Sequence, residues 1–305
     1  MLLAFAIPIA ALLGLVFGSF MNLCLTRWPA DESIVAPRSH CRSCPHTLSW
    51  WENIPLLGWL LLRGRCRACH APIGVRYPAV ELTLAVLWAY TAWSFIPEMP
   101  GMTFPAPMAA FLAVAALMQA VFLWILVALA VLDTEHLWLP DWLTLPGIAL
   151  GLIVFAAQPF ALAWIGSIVE FPFTASLEGT RFGLWTPFAV HLGAAVLAAI
   201  LMLLIRWLYQ ILREREGLGL GDVKLVAMLG AWLGPQNVLV ALLAATLLGM
   251  IAAVALIRAA RIGKQPEGSW ATIPLPFGTF LCIGGIVSAL WGERIVAAYL
   301  RFTGL

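Results

Sequence analysis

Long runs of apolar residues, separated by short polar stretches, dominate the chain. The first run extends from Met1 to about Cys24 and contains no charged side chain. Seven further runs follow at residues 79–96, 108–131, 142–163, 187–209, 222–234, 237–257 and 275–298. A helix needs about 20 apolar residues to cross a bilayer, where only helices and closed barrels satisfy their backbone hydrogen bonds. The pattern therefore predicts an all-α polytopic protein with about eight transmembrane helices, of which the sixth is unusually short.

The composition supports this class. Of the 305 residues, 63% are hydrophobic and 10% are charged, whereas ordinary soluble domains have about 25% charged residues. This excludes a soluble globule, intrinsic disorder and a secreted disulfide scaffold. The formal net charge is only +2, and no basic cluster typical of nucleic-acid binding is evident in the sequence. Because Arg27 follows the first apolar run and no basic stretch precedes it, we expect a retained helix and not a cleaved signal.

The basic residues are distributed unevenly among the predicted loops. Of the 17 Lys and Arg residues, all but Arg181, Arg294 and Arg301 lie in or beside the first loop and the loops after the fifth and seventh spans. Basic loops stay in the cytoplasm of membrane proteins. We therefore expect these loops, together with residues 132–141 and 210–222, to face the cytoplasm and both termini to lie on the opposite side.

One polar segment, residues 27–78, is long enough to fold in water. It separates a first helix at residues 1–26 from a membrane domain at residues 79–305. Its C-x2-C-x21-C-x2-C pattern is formed by Cys41, Cys44, Cys66 and Cys69. This spacing is typical of a tetrahedral zinc site, and the metal would stabilise a segment with a small core. Two disulfides are the alternative, which a reducing cytoplasm disfavours. A thiolate could also be replaced by one of the neighbouring histidines, His40, His46 or His70.

Two acidic residues lie at predicted cytoplasmic span ends. Asp133 ends the third apolar run, and Asp222 opens the short sixth run after Gly219 and Gly221. Ionisable groups at membrane depth are costly and mark functional sites. Two adjacent carboxylates can form a dyad in which one activates water and the other, protonated, polarises a carbonyl. Asp133 and Asp222 are therefore candidates for such a dyad, and the two glycines, which have no Cβ, would let a substrate backbone approach.

Structural explanations of the same residues remain open. The sequence G-x-G-D is also typical of a flexible entry to a helix that Asp222 caps. Asp141 follows Pro140 and is well placed to cap the fourth span. Glu81 lies at the start of the second span, where its side chain could face either a cavity or the lipid headgroups.

The motifs, taken together and in order, resemble those of the type IV prepilin peptidase family of bacterial inner membranes. The stretch from Gly18 to Pro29 is similar to the family's G-S-F-x-N-x-x-x-x-R-x-P opening. The other similar stretches are the tetracysteine loop with Asn53-Ile-Pro55, Arg76-Tyr-Pro78-Ala-Val-Glu81, Asp133 with Leu139-Pro-Asp141, Gly219-Leu-Gly221-Asp222, and Pro276-Phe-Gly278.

The resemblance implies an intramembrane aspartic protease that cleaves the basic leader of type IV prepilins or type II secretion pseudopilins after a glycine. Asp133 and Asp222 occupy the positions of the family's catalytic pair. The resemblance also implies methylation of the new N-terminal amine with S-adenosylmethionine, an activity expected of members that have the tetracysteine domain. Because the sequence has no G-x-G-x-x-G turn after a strand, we expect the cytoplasmic loop and nearby span ends to bind the methyl donor.

Two other functions remain compatible with the residues. An intramembrane aspartic protease with other clients would share the G-x-G-D motif, although Leu132 stands where presenilin-like enzymes have a tyrosine. A metal-binding transporter or assembly scaffold would use the aspartates to carry protons or cations. Inverted repeats with paired broken helices would favour a transporter, and no such repeat is evident in the sequence.

Overall fold

The computed structural model describes residues 2–95, 105–168, 183, 185–213, 219–262 and 276–304, and within these ranges the named elements are all helices. The predicted loop residues Arg181, Arg215 and Lys264 lie outside them. Two short 3-10 helices cover Trp28–Ala30 and Trp50–Asn53. The α-helices are α1 (Leu2–Arg27), α2 (Leu57–Leu61), α3 (Arg76–Ser94), α4 (Ala106–His136), α5 (Asp141–Ile168), α6 (Thr186–Arg213), α7 (Leu220–Ile262) and α8 (Phe277–Thr303). The predicted all-α class is confirmed.

The predicted membrane spans all coincide with helices. Six helices in the described part of the chain, α1 and α4 to α8, are long and apolar enough to cross a membrane. The predicted second span corresponds to α3, which has 19 residues and is not one of these six. The predicted sixth and seventh spans both lie in α7, which has 43 residues.

The long helix α7 is interrupted at Gly234. This residue has φ 74° and ψ 179°, a conformation that is essentially restricted to glycine. Pro235 follows it, which cannot donate a helical hydrogen bond. The interruption divides α7 into a first arm, residues 220–233, and a second arm, residues 235–262.

Contacts with α8 show that the two arms run in opposite directions. Asn237, just after the interruption, lies beside Gly292 beyond the middle of α8, whereas Gly249 lies beside Phe280 in the first turn of α8. That first turn also contacts Asp133 at the end of α4, close to where α7 begins. The second arm therefore returns to the end from which the first arm started, and α7 is a hairpin.

The chain divides into two compact units. The first unit consists of Met1–Phe104 and Leu112–Ala128, and it contains α1 to α3 with the tetracysteine segment. The second unit consists of Pro105–Phe111 and Leu129–Leu305, and it contains α5 to α8 with both candidate aspartates. The helix α4 is divided between them: residues 112–128 belong to the first unit, and the rest of the helix belongs to the second.

In the first unit, α1 packs closely on α3 through two glycines spaced four residues apart. A Cβ added at Gly14 would lie 2.6 Å from the carbonyl oxygen of Leu84, and one at Gly18 would lie 2.7 Å from the Cα of Glu81. Small residues at this spacing let membrane helices approach until their backbones touch. As a result, Glu81 is buried where the two helices meet.

Close helix packing also holds the second unit together. A Cβ added at Gly230 in the first arm would lie 2.8 Å from the backbone of Ala194 in α6. A Cβ added at Gly284 in α8 would lie 2.3 Å from the carbonyl oxygen of Ala241 in the second arm. These contacts fix α7 between α6 and α8 and so determine where its first turn lies.

Candidate active site and metal centre

Asp133 lies in the last turn of α4, and its side chain is buried. The helix ends because Leu137 adopts a left-handed conformation, and its N–H donates to the Asp133 carbonyl at 2.9 Å. Oδ2 of Asp133 accepts two hydrogen bonds from Thr279, at 2.6 Å from the backbone N–H and at 3.1 Å from the hydroxyl. The first turn of α8 thus holds the carboxyl group with the N–H of Thr279, one of the first N–H groups of the helix, which have no partner within their own helix.

Gly278 allows α8 to begin this close to the carboxyl group. A Cβ at this position would lie 2.9 Å from Cγ of Asp133 and 3.0 Å from Cδ1 of Leu139. These distances are too short for a side chain, so the site requires glycine unless Asp133 or α8 shifts. The P-F-G stretch identified in the sequence therefore forms part of the environment of Asp133.

Asp222 lies in the first turn of α7 and interacts electrostatically with Asp133. The backbone of Gly219 lies beside this carboxyl group, because a Cβ added at Gly219 would lie 3.6 Å from the Asp222 Oδ2. Leu139 contacts both sides of the site, because a Cβ added at Gly221 would lie 3.0 Å from the Leu139 Cβ. The end of α4 and the starts of α7 and α8 therefore converge around Leu139 and bring together two carboxylates that are remote in sequence.

The two glycines before Asp222 have different surroundings. Gly221 packs against the chain's own Leu139, which explains the absence of a side chain there. Around a Cβ added at Gly219, the nearest described atom would be the Asp222 Oδ2 at 3.6 Å. Of the two predicted substrate-approach positions, Gly219 is therefore the one where an added Cβ would make only ordinary van der Waals contacts with the described residues.

Asp141 is exposed in the first turn of α5 and takes part in an ion pair. Its Oδ1 accepts a hydrogen bond from Nζ of Lys224 at 2.5 Å. This pair links the start of α5 to the first turn of α7. Lys224 is only two residues from Asp222 in the chain, but its positive charge pairs with Asp141.

The four predicted metal ligands come together in the first unit. Their sulfur atoms, in Cys41, Cys44, Cys66 and Cys69, all lie within 4.8 Å of one another. The Cys41–Cys69 and Cys44–Cys66 sulfur pairs are 3.8 and 3.9 Å apart. Tetrahedral zinc with bonds of about 2.3 Å to sulfur requires about 3.8 Å between ligands, so the cluster has the dimensions of a metal site.

The two cysteine pairs are held by equivalent turns. The N–H of Cys41 donates to the His46 carbonyl, and the N–H of Cys66 donates to the Ala71 carbonyl, both at 2.9 Å. Backbone N–H groups of Cys69 and Ala68 lower the pKa of the Cys66 thiol to about 6. This favours the thiolate, which is the form that binds metals.

The neighbouring histidines have other contacts. His46 Nε2 lies 3.2 Å from Oε2 of Glu52, and His40 Nδ1 lies 3.1 Å from the Arg38 carbonyl oxygen. The buried Glu52 also accepts the backbone N–H of Ser49 at 2.6 Å. Burial raises the pKa of Glu52, but the hydrogen bonds from Ser49 and His46 outweigh this effect and leave the pKa below its ordinary value.

The sequence alone did not indicate the roles of Thr279, Leu139 or Glu52 in these sites. Thr279 directly follows the motif Pro276-Phe-Gly278, and Leu139 is the first residue of Leu139-Pro-Asp141. Their place beside or in a motif was the only sign in the sequence that they belong to the site. Glu52 precedes Asn53-Ile-Pro55 in the same way. Their contacts depend on tertiary packing, which a linear pattern does not specify.

Comparisons with known proteins cover most of the chain. Residues 12–95 match the family model for the bacterial peptidase A24 N-terminal domain, and residues 120–254 match that for the type IV leader peptidase family. The chain is 34% identical to the prepilin leader peptidase/N-methyltransferase of Stutzerimonas stutzeri, over 97% of this chain and 94% of that protein. It is 34% identical to the protein of the same name from Pseudomonas aeruginosa, over 96% and 93% of the two chains. For the Aeromonas hydrophila protein of that name, the identity is 35% over 95% and 92%. No solved structure matches the chain significantly.

Proposed function

Because the chain belongs to the type IV leader peptidase family, we propose that it is a prepilin leader peptidase that also methylates the N-terminus it creates. Its substrates are type IV prepilins or type II secretion pseudopilins, which it cleaves after a glycine. It acts as a multi-pass protein of the bacterial inner membrane, in keeping with its six long apolar helices. The basic loops support an orientation with the tetracysteine segment and the aspartates on the cytoplasmic side and both termini in the periplasm.

The convergence of Asp133 and Asp222 is the observation that carries the peptidase proposal. One carboxylate takes a proton from water as the water attacks the scissile carbonyl, and the other, protonated, donates to the carbonyl oxygen. The two groups share their titration, so their pKa values belong to the pair. Thr279 donates to Oδ2 of Asp133, and in the described part of the chain no hydrogen bond to Oδ1 competes with water.

The position of this pair suits a substrate with a charged leader and an apolar helix. Asp133 lies at the end of α4, and Asp222 lies at the start of α7. Both therefore lie at the ends of membrane-length helices, where the scissile bond between leader and apolar helix would lie. Packing of the substrate helix against the enzyme's helices would hold that bond at the carboxylates.

Replacement of either aspartate tests the catalytic assignment. Asp133→Asn and Asp222→Asn keep the size of the side chain but remove its acid–base chemistry, and we expect leader cleavage to fall at least about 100-fold. Cleavage is measured by mass spectrometry of a prepilin incubated with purified enzyme. Asp31→Asn is the matched control, because Asp31 is exposed and belongs to the first unit. Normal cleavage by both active-site variants would reject the dyad.

We assign the four-cysteine cluster to structural zinc. Four thiolates fill a tetrahedral site, so none of its positions is open for water. Replacement of Cys41 and Cys66 together by Ser should release the metal and impair methylation, whereas Cys24→Ala, a change at a buried cysteine outside the cluster, should retain it. Elemental analysis reports the metal content. Wild-type protein isolated without any metal would contradict the assignment.

We assign S-adenosylmethionine as the methyl donor. The donor supplies a methyl group on a sulfonium, the amine of the processed N-terminus accepts it with loss of one proton, and the donor leaves as a neutral thioether. The chain must therefore provide a site for a cationic nucleoside.

A further inference from the structure

The first unit contains a cavity of about 750 Å³ that the peptidase mechanism does not use. It lies among α1, the start of α3 and the tetracysteine segment, and all of its lining residues belong to the first unit. Small-molecule sites usually have volumes of about 300 to 1,000 Å³ and combine apolar walls with a few polar groups. Leu23, Ile54 and Trp59 contribute to the apolar wall of this cavity.

Glu81 is a buried acid in the lining of this cavity. Its side chain lines the cavity although the residue is only 6% exposed, and Oε2 accepts the Leu56 N–H at 2.7 Å. The side chains of Ser19 and Asn22 lie close to it. In the described part of the chain, no cationic side chain forms an ion pair with Glu81. A buried carboxylate without a positive partner is destabilising, so a cationic ligand would remove this cost.

The arginines near the cavity are already engaged elsewhere. Arg27 donates to the carbonyl oxygens of Ser33 and Pro37, both at 2.6 Å. Arg42 donates to Glu32 at 3.1 Å and to the Thr26 carbonyl oxygen at 3.1 Å. The third lining arginine, Arg67, lies over the Trp51 ring, 5.3 Å from its centroid.

Asn22 provides a second, independent indication of a ligand. The residue is 1% exposed and lines the cavity. Its Nδ2 donates to the Tyr77 carbonyl oxygen at 2.9 Å, but its buried Oδ1 has no hydrogen-bond partner among the described residues. A buried acceptor without a donor loses the hydrogen bond that it would make in water. A ligand with N–H or O–H groups would restore that bond.

We propose that this cavity binds the methyl donor, with Glu81 facing its positive charge and Asn22 accepting one of its hydrogen-bond donors. This inference rests on the proposed methyl transfer. S-adenosylmethionine combines a sulfonium and an ammonium with an adenosine that has amino and hydroxyl donors, and so matches the carboxylate, the free amide oxygen and the apolar wall. Glu52 also lines the cavity, but its carboxylate already binds the Ser49 N–H and lies against His46, so we assign the positive charge of the donor to Glu81.

Binding of the donor, measured apart from catalysis, tests the assignment. Purified full-length protein is titrated with S-adenosylmethionine by calorimetry. Glu81→Gln retains an oxygen for the Leu56 N–H but removes the charge, and Ser19→Leu fills part of the cavity from α1. We expect the dissociation constant to rise at least about tenfold in each variant, since each removes or blocks a polar contact with a cation. Asp31→Asn is the matched control, because Asp31 is exposed and does not line the cavity, and its affinity should equal that of the wild type.

The failures of the two proposals are distinguishable. Metal content and melting temperature are measured for each variant, so that weakened binding is counted only for folded protein. If one of the two cavity variants misfolds, the other alone decides the test. Wild-type affinity in both cavity variants would overturn this assignment but leave the methyl transfer intact. That result would also be expected if Glu81 binds the amine of the processed pilin. Wild-type protein that binds no donor would overturn both.

Discussion

A single threonine at the start of α8 holds the buried carboxyl group of Asp133. Its backbone N–H and its hydroxyl contact the same oxygen, across 146 positions of sequence. The aspartates themselves could be singled out as candidates from the sequence, because each lies at the edge of an apolar run within a recognisable motif. Their hydrogen-bond partner could not, because only the convergence of α4 and α8 brings Thr279 to Asp133.

Gly278→Ala should reduce leader cleavage by about 10- to 100-fold, since a shift of about 1 Å in a catalytic group has effects of this size. The added Cβ would lie 2.9 Å from Cγ of Asp133 and would displace the carboxyl group. Gly249→Ala is the control, because its Cβ would meet Phe280 at an ordinary 3.6 Å. Initial rates of prepilin cleavage measure the effect. Equal rates for the two variants would show that Asp133 does not need its observed position.

At the scale of elements, hydrophobic runs predicted the helices well but their ends less well. The third run was expected to end near residue 131, whereas α4 continues to His136. The polar residues after the run extend the same helix until Leu137 adopts its left-handed conformation. Hydropathy detects the part of a helix inside lipid, and this helix continues beyond it. The sequence predicted two separate spans where the structure has the single interrupted helix α7. Gly234 and Pro235 lie at the break between them.

Gly234→Ala should destabilise the protein by about 1 to 3 kcal/mol, because alanine is strained in the backbone conformation of the hairpin turn. The added Cβ would also lie 3.3 Å from the His191 ring. Gly193→Ala in α6 meets nothing within 4 Å and should be neutral or stabilising by up to about 1 kcal/mol. Thermal unfolding in detergent compares the two. A melting temperature that does not differ between them would contradict the glycine requirement at the turn.

At the scale of the whole molecule, the two candidate centres belong to different compact units. The cysteine cluster and the 750 Å³ cavity lie in the first unit, whereas Asp133 and Asp222 lie in the second. The sequence indicates that residues 27–78 form a polar segment able to fold in water, and this stays a prediction. The contribution of residues 112–128 of α4 to the first unit could not be predicted, because a continuous apolar helix carries no mark of which neighbours it joins.

The two proposed activities should therefore be separable by point substitutions. With a pilin supplied already without its leader, Asp222→Asn enzyme should still methylate it. The Cys41→Ser/Cys66→Ser enzyme should cleave a prepilin but fail to methylate the product. Mass spectrometry distinguishes the uncut, cut and methylated forms. Loss of both activities in each variant would indicate one shared centre.

The short first arm of the α7 hairpin has a consequence for how the enzyme responds to its membrane. At about 1.5 Å per residue, residues 220–233 extend for about 21 Å, against a hydrocarbon thickness of about 30 Å. Leu225, Val226, Met228 and Leu229 are all buried in the protein, so lipid chains do not surround this arm. Hydrophobic mismatch acts on helices that lipids surround. Variation in acyl-chain length should therefore tilt the helices that lipids surround before it alters the depth of Asp222. We expect leader cleavage to depend little on lipid composition for this reason.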